Sequence, residues 1–388
     1  MPAPVNSQAY LTTTPAGMRP LDISNEIFKY RPEETTILTL LMALNRVTVD
    51  DREFRINIQD QDPGYVTVVT QANDGVNITV SADDVKYIRP GLTLRVDWQT
   101  VALVTAVNYA TGQVTLDNNT GFTAGSIPNL GSAAVEELAQ RPSVVSRVPA
   151  QVTNFAENAW DTYGQSRWVE TVKFYGGARG YHNREQAMYE HKRGIDRGLW
   201  FNAKAQTTGP QGNTLYKTGG VMNMITTNVS GFGSNQFTIN KLRTAMTQGT
   251  RFMRSSTVWL FVSRLGSELF DRAVFNKGNI TPVYENILNI NITSFRMCGK
   301  TWKLMIVDHL SNNCSDVMAA IDPAALEIVT TRDQQTKTRQ WMLERKLTPE
   351  NGLTTDGTIG DIYTDFGLRI QEKSCMLLHG ASSLGTEA

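Results

Sequence analysis

Residues 176–206, GGARGYHNREQAMYEHKRGIDRGLWFNAKAQ, constrain the fold more than any other stretch, because a long helix is what their pattern satisfies. Met188, Ile195 and Leu199 recur at spacings of seven and four and share one stripe. Arg184, Lys192, Arg193, Asp196 and Arg197 fall along its edges or behind it. The pattern predicts a narrow buried face and a wide solvated one. Asn183 followed three residues later by Gln186 has the form of a capping box. Glu185 lies in the first turn, where the helix dipole favours an anion, so the helix is expected to start near Arg184. From there to residue 205 it spans roughly 30–35 Å, about the width of a small domain. Gly194 and Gly198 inside it each cost about 1 kcal/mol relative to alanine, which implies a close backbone approach by another segment.

A chain of 388 residues, 40% hydrophobic and 19% charged, can bury two or three cores around such a rod. Lys plus Arg equals Asp plus Glu at 37 each, so no global field draws it to nucleic acid or an anionic membrane. No apolar run reaches bilayer length, and residues 1–17 place no basic residue ahead of a hydrophobic block, so the expectation is a soluble, unsecreted protein with no membrane partner. Cys298, Cys314 and Cys375 are odd in number and widely spaced, unlike a disulfide framework, which fits a reducing cytoplasm.

Residues 1–20 are rich in Pro, Thr and Ala and read as a flexible arm. Residues 23–49 read as partly helical, with Ile27, Phe28, Ile37, Leu38, Leu41, Met42 and Leu44 as an apolar set broken at Pro32, and Thr35 or Thr36 starting the second piece. Over 54–131, β-branched runs (YVTVVT, VNITV, LTLRVDW, VALVTAV, QVTL) alternate with turn signals at 73–75, 89–91 and 110–112, predicting a small antiparallel barrel or sandwich of about five strands. Four basic residues against seven acidic ones argue against an OB-like groove that tracks phosphates. Trp160, Trp168 and Phe174 are expected at turns or strand ends, and the Gly- and Thr-rich 207–220 as a mobile connection. Thr238 opens an amphipathic helix, 257–262 (TVWLFV) is a buried strand, and 263–270 a helix that follows it. Strands at 302–307 and 317–321 complete an α/β alternation. LEIVTT, QWMLERKL, IYTDFGLRI and CMLLHGA then form long strands expected to pair with one another beside the long helix.

Motifs that carry chemistry are scarce. No phosphate-loop, HExxH or Cys/His metal spacing occurs, and GPQGNTLYKTGG has the glycines of a phosphate loop without the flanking strand and helix. Of four histidines, His309 beside Asp308 is the leading acid–base candidate, yet neighbours on a strand point opposite ways and no nucleophile elbow is present. Cys298 and Cys314 with His309 between them lack a fourth ligand. The reading is no enzyme, no cofactor and no metal.

Four stretches, together with this order of parts, carry a resemblance. They are RPSVVSRVPAQVTNFAENA, NREQAMYEHKRGIDRGLWFNAKA, TLYKTGGVMNMITTN and IQEKSCMLLHGAS. The chain resembles the major capsid proteins of tailed bacteriophages, whose fold is shared with the herpesvirus capsid floor, and in particular a branch with a β-rich insertion before the spine helix. The likeness covers most of 141–382; 54–131 match only in position and type. It implies an α+β fold: a spine helix beside long antiparallel strands, an α/β axial domain, and an inserted small β-barrel or sandwich. The implied parts are an arm (1–50), an extended loop (51–150), a peripheral domain with the spine helix at about 184–205 (151–230), an axial domain (231–325), and C-terminal strands returning to the peripheral domain (326–388). Met188, Ile195 and Leu199 become the spine's packing residues, Asn183 and Gln186 its cap.

The implied function is self-assembly into pentamers and hexamers of an icosahedral head shell that encloses double-stranded DNA without reading its sequence. Implied partners are other copies of the chain, a separate scaffolding protein, a portal and, as a further candidate, a decoration protein. The implied location is the virion, with assembly in the host cytoplasm. Two rivals remain at this point: a β-rich tail or adhesin component that binds a host glycan, and a hydrolase using Asp308 or His309.

Overall fold

The computed structural model describes residues 36–44, 46–59, 64–71, 76–82, 84–97, 99–118, 122–135, 149–171, 179–275, 282–287, 290–311, 314–331, 342–347 and 357–385. The expectations for 1–35, for the turn at 73–75 and for Phe174 lie outside these residues. The chain forms two compact units, Met1–Arg55 with Thr153–Ala388, and Ile56–Val152.

In the smaller unit, alternating β-branched residues give six antiparallel strands: Val68–Gln71, Asn77–Val80, Leu92–Arg95, Val101–Asn108, Gln113–Leu116 and Asn129–Ala133. Their spatial order is first, second, fifth, fourth, third, sixth, one strand more than the sequence suggested. Every second residue faces one core that includes Ile78, Val80, Val104, Val114, Leu116 and Phe122. Backbone N–H groups of Val66, Val68 and Leu130 donate to Pro128 O (3.1 Å), Ser126 O (3.0 Å) and Gly64 O (2.9 Å), and so tie the two ends of the sheet together. The 110–112 turn needs its glycine: Gly112 has φ +73°, and a Cβ there would lie 2.7 Å from Val80 O.

The larger unit contains a seven-stranded mixed sheet in the order Val229–Gly231, Cys375–His379, Met318–Ile321, Thr257–Val262, Lys300–Ile306, Ile290–Met297, Val283–Ile287. Thr257–Val262 is apolar at nearly every position because both faces are covered, and Val258 to Val262 are all buried. Two flanking helices start where their caps predict. Thr238 accepts from Lys241 N ahead of Ile239–Gly249, and Ser263 accepts from Gly266 N ahead of Arg264–Phe270. One expectation is corrected. CMLLHGA does not pair with the other closing strands; Cys375–His379 joins this sheet beside Met318–Ile321, where its buried Cys, Met and Leu side chains extend the same core.

A second sheet is built on the fourteen-residue strand Gly357–Ile370. One edge pairs antiparallel with Glu157–Ser166 from Ser166↔Gly357 to Glu157↔Phe366. Leu343–Leu347 and Leu326–Thr331 share the other edge, and Arg46–Val49 adds in parallel to the latter. Trp160 therefore lies in mid-strand rather than at a strand end, and Trp168 in the short helix Arg167–Thr171. Ala156 N donates to Arg52 O (2.7 Å), and Glu53–Ile58 pairs with Ala150–Phe155.

The spine helix, Arg179–Phe201, packs along Glu157–Ser166. It starts a turn before the predicted point and ends before 205, so Asn183 lies inside the helix and is not its cap. The side chains are engaged elsewhere: Asn183 Nδ2 donates to Gly164 O (3.4 Å) and Gln186 Nε2 to Glu190 Oε1 (2.9 Å). The expected close approach is found at the helix C-terminus, with its essential glycine on the partner segment. A Cβ on Gly220 would lie 2.8 Å from Leu199 O, whereas one on Gly194 would meet nothing within 4 Å. The 207–220 connection is also corrected. Ala205–Thr208 and Thr214–Lys217 form a hairpin, closed by Gly209 N donating to Asn213 O (2.7 Å). Helix Thr36–Leu44 buries Ile37, Leu38, Leu40 and Leu41 against the spine helix and Leu326–Thr331.

Candidate functional site

The period of two along Gly357–Ile370 gives the second sheet two faces of different chemistry. Ile362, Thr364, Phe366, Leu368 and Ile370 point to the spine-helix side and are buried. On that side a seam of polar groups joins helix to strand. His191, 1% exposed, places Nδ1 2.6 Å from Asp161 Oδ2 and Nε2 2.7 Å from Thr364 Oγ1. The ionised carboxylate can only accept, so Nδ1–H donates to it, and Nε2 is left to pair with the threonine hydroxyl.

Asp196 faces the other way, fully buried, and Leu38 N in the first turn of the arm helix donates to its Oδ1 (2.8 Å). A residue on one helix thus caps the N-terminus of another, with His309 Nε2 3.4 Å from Asp196 Oδ2. Below them Asn154, also fully buried, donates to Leu368 O (2.7 Å) and Gly219 O (3.1 Å). It accepts from Gly219 N (2.8 Å) and Phe155 N (2.9 Å). Burial raises the Glu157 carboxyl above its ordinary range, against hydrogen bonds from Thr218 N and Asn202 Nδ2.

At the helix N-terminal end, Arg184 grips Glu344 with two hydrogen bonds of 2.6 Å, and the Tyr163 hydroxyl donates to the same carboxylate. The Arg184 hydrogen bond is the main reason the Glu344 carboxyl is held down at about 2.

Of the residues singled out for spine packing, Ile195 and Leu199 are buried and Met188 is half-buried. His191 and Trp200 escaped notice. His191 falls between Met188 and Ile195 on the same stripe, a spacing that would have found it had polarity not disqualified it. Trp200 sets its ring edge-on to Phe261 at 5.2 Å and so links the spine to the seven-stranded sheet. Asp196, read as peripheral, is corrected to buried, because the arm helix covers it.

The chemistry candidates separate. Asp308 lies in a short 3₁₀ turn, not on a strand, and accepts from Arg264 Nε (2.7 Å), while His309 turns to Asp196. Cys298 is exposed, Cys314 half-buried, and burial pushes the Cys375 thiol up to about 12. Among the described residues no His, Cys, Asp and Glu side chains group so as to hold a metal, and no helix is long and apolar enough to cross a membrane.

On the opposite face of the second sheet Trp160 and Leu343 are exposed. Trp160, Tyr363 and Leu343 lie in register across three strands, with the Trp160 and Tyr363 ring centroids 5.0 Å apart.

The fold is similar to that of two proteins in solved structures. The capsid of a native GTA particle is 8% identical with a TM-score of 0.51 over 96% of this chain and 99% of that one. The holo-SrpI encapsulin of Synechococcus elongatus PCC 7942 is 8% identical with a TM-score of 0.50 over 94% and 95%. No curated protein matches in sequence. The family profile described as SU10 major capsid protein matches residues 5–382.

Proposed function

The chain belongs to the SU10 major capsid protein family, and on that premise we propose how its parts build a head shell. It is a structural protein of the virion that assembles from many copies. The match over 5–382 carries this reading and disfavours the tail or adhesin alternative.

In the proposed arrangement, copies close into pentamers and hexamers of an icosahedral shell through heterologous contacts, each weak alone and strong in sum. Residues 1–50 serve as the arm and 51–150 as the extended loop that carries the β insertion. Residues 151–228 with 326–370 form the peripheral part, and 231–325, joined in one sheet by Val229–Gly231 and Cys375–His379, the axial part. Ile195, Leu199 and, at its margin, Met188 anchor the spine within its own unit. The protein carries no reaction; Asp308 and His309 are engaged in structural pairs with Arg264 and Asp196. The equal numbers of acidic and basic residues suit a wall that encloses double-stranded DNA without adhering to it. A separate scaffolding protein, a portal and a decoration protein are the proposed partners, and the host cytoplasm the place of assembly.

Electron microscopy of the expressed chain tests the reading. Shells or hexameric capsomers are expected; discrete trimers that bind a glycan would replace it with the adhesin alternative.

A further inference from the structure

Charge balances over the whole chain but not along it. Between Asp196 and Glu268 there is no Asp or Glu, while eight Lys or Arg occur. Some of these are answered from elsewhere: Arg264 donates to Asp308, and Lys217 lies beside Glu157. Helix Ile239–Gly249 keeps its cations in view. Its buried stripe of Leu242, Ala245 and Met246 enters the core of the seven-stranded sheet. Its other face reads Asn240, Lys241, Arg243, Thr244, Thr247 and Gln248, all exposed. At about 3.6 residues per turn, Lys241 and Arg243 fall at the two edges of that face, with amides and hydroxyls between them. Exposed Arg251 follows in the next turn, its guanidinium 5.8 Å from the centre of the Phe252 ring.

Beside this face runs a groove of about 310 Å³ whose polar lining is Ser230, Asn240, Lys241, Thr244 and Gln248, with no acidic residue. Two acids border the C-terminal end of the helix, and both are engaged. Asp322 accepts from Arg254 N (2.7 Å) and Ser255 N (3.1 Å), and Glu372 from Thr226 Oγ1 (2.9 Å). The Thr244 and Thr247 hydroxyls donate back to Asn240 O (3.0 Å) and Arg243 O (2.8 Å). What the face offers a ligand is therefore the Asn240 and Gln248 amides, the Arg243 guanidinium, and the N–H groups left to Lys241 after it bonds Gly233 O (2.9 Å). Arg and Lys flanked by Asn, Gln and Thr are the side chains that contact nucleic-acid phosphates. A duplex carries a charge about every 1.7 Å of its axis, so it can meet such a face without any fixed register.

We infer that the exposed face of helix Ile239–Gly249 takes the phosphate backbone of double-stranded DNA. The inference rests on the head-shell reading and deepens it: the wall stays neutral as a whole, and contact with the cargo is confined to this face. Two or three cations per copy hold a duplex loosely, and many copies sum to a firm but mobile grip.

The test titrates full-length, unassembled protein against a fluorescent duplex of about 30 base pairs at about 50 and 150 mM salt. Affinity should fall about tenfold between the two, and Arg243→Gln should flatten the salt slope by about one. Arg296→Gln is the control. Arg296 is also exposed, but Phe295 and Met297 on either side of it join the core under the helix, so it points away from that face and its loss should leave affinity unchanged. No binding by the parent, or equal losses from the two variants, would overturn the inference. So would polyglutamate displacing the duplex more strongly, charge for charge, than unlabelled DNA does, because the face would then belong to an acidic protein. Duplex binding by a parent chain that forms no shells would instead sink the head-shell reading and leave this surface assigned.

Discussion

The two largest sheets of the larger unit are held by different forces. In the seven-stranded sheet Val258, Leu260, Phe261, Trp302, Leu304 and Met318 are all buried, and cohesion is apolar and non-directional. Around the sheet built on Gly357–Ile370, His191 and the Arg184–Glu344 pair fix the spine helix to the strands, Asp196 fixes it to the arm helix, and Asn154 ties Leu368 to Gly219, groups that bond at one geometry and no other. An apolar core tolerates small repacking, whereas a polar seam registers helix against strand. The contrast suits a body whose outer surface must present the same atoms to every neighbour.

Four substitutions probe the contrast, beginning with the largest effect. Ile195→Asp buries an unpaired charge where spine and sheet meet and should cost about 5 kcal/mol, giving insoluble or unassembled protein. Normal shells from that variant would mean the helix face is misassigned. Phe261→Ala in the seven-stranded sheet should cost about 4 kcal/mol in urea unfolding, and a loss below 1 kcal/mol would deny that packing dominates there.

Asn154→Ala leaves Leu368 O, Gly219 O and Gly219 N with no side-chain partner, so a loss of about 2–3 kcal/mol is expected from a change of only a few atoms. A change within about 0.5 kcal/mol would show the seam to be passive. The smallest effect concerns Glu344. Its folded carboxyl lies below the unfolded value, so the Arg184 pair stabilises fully above about pH 4.3, and that contribution is lost as pH falls toward about 2. Because Arg184 is partly exposed, solvent screens the pair. Glu344→Gln should lose about 1 kcal/mol at pH 6, and the gap to the parent should close on acidification; a gap constant down to pH 2 would deny the linkage.

Legibility in the sequence followed the range of the forces. Thr238 and Ser263 announced their helices because a cap is satisfied within three residues, and TVWLFV announced a doubly covered strand by composition. The start of the spine helix was hidden because the capping-box spacing of Asn183 and Gln186 falls inside the helix, where it marks no end. Its seam was hidden because Asp196, between Lys192 and Arg197, reads as solvated until the arm helix covers it. Residues 205–217 misled because Gly- and Thr-rich composition serves a hairpin as well as a linker. Cys375–His379 looked like its sister strands, and its destination depends on Met318–Ile321, far away in the chain.

The hydrogen bond from Ala156 N to Arg52 O has a consequence for how such chains diversify. It ties the stem of everything between those residues, so the body experiences the whole excursion as a single closed loop. Loop-closure entropy grows only with the logarithm of length, so the body's stability is nearly indifferent to what the stem carries. One cassette can be grafted in place of another, or trimmed to a short turn, without redrawing the frame that receives it.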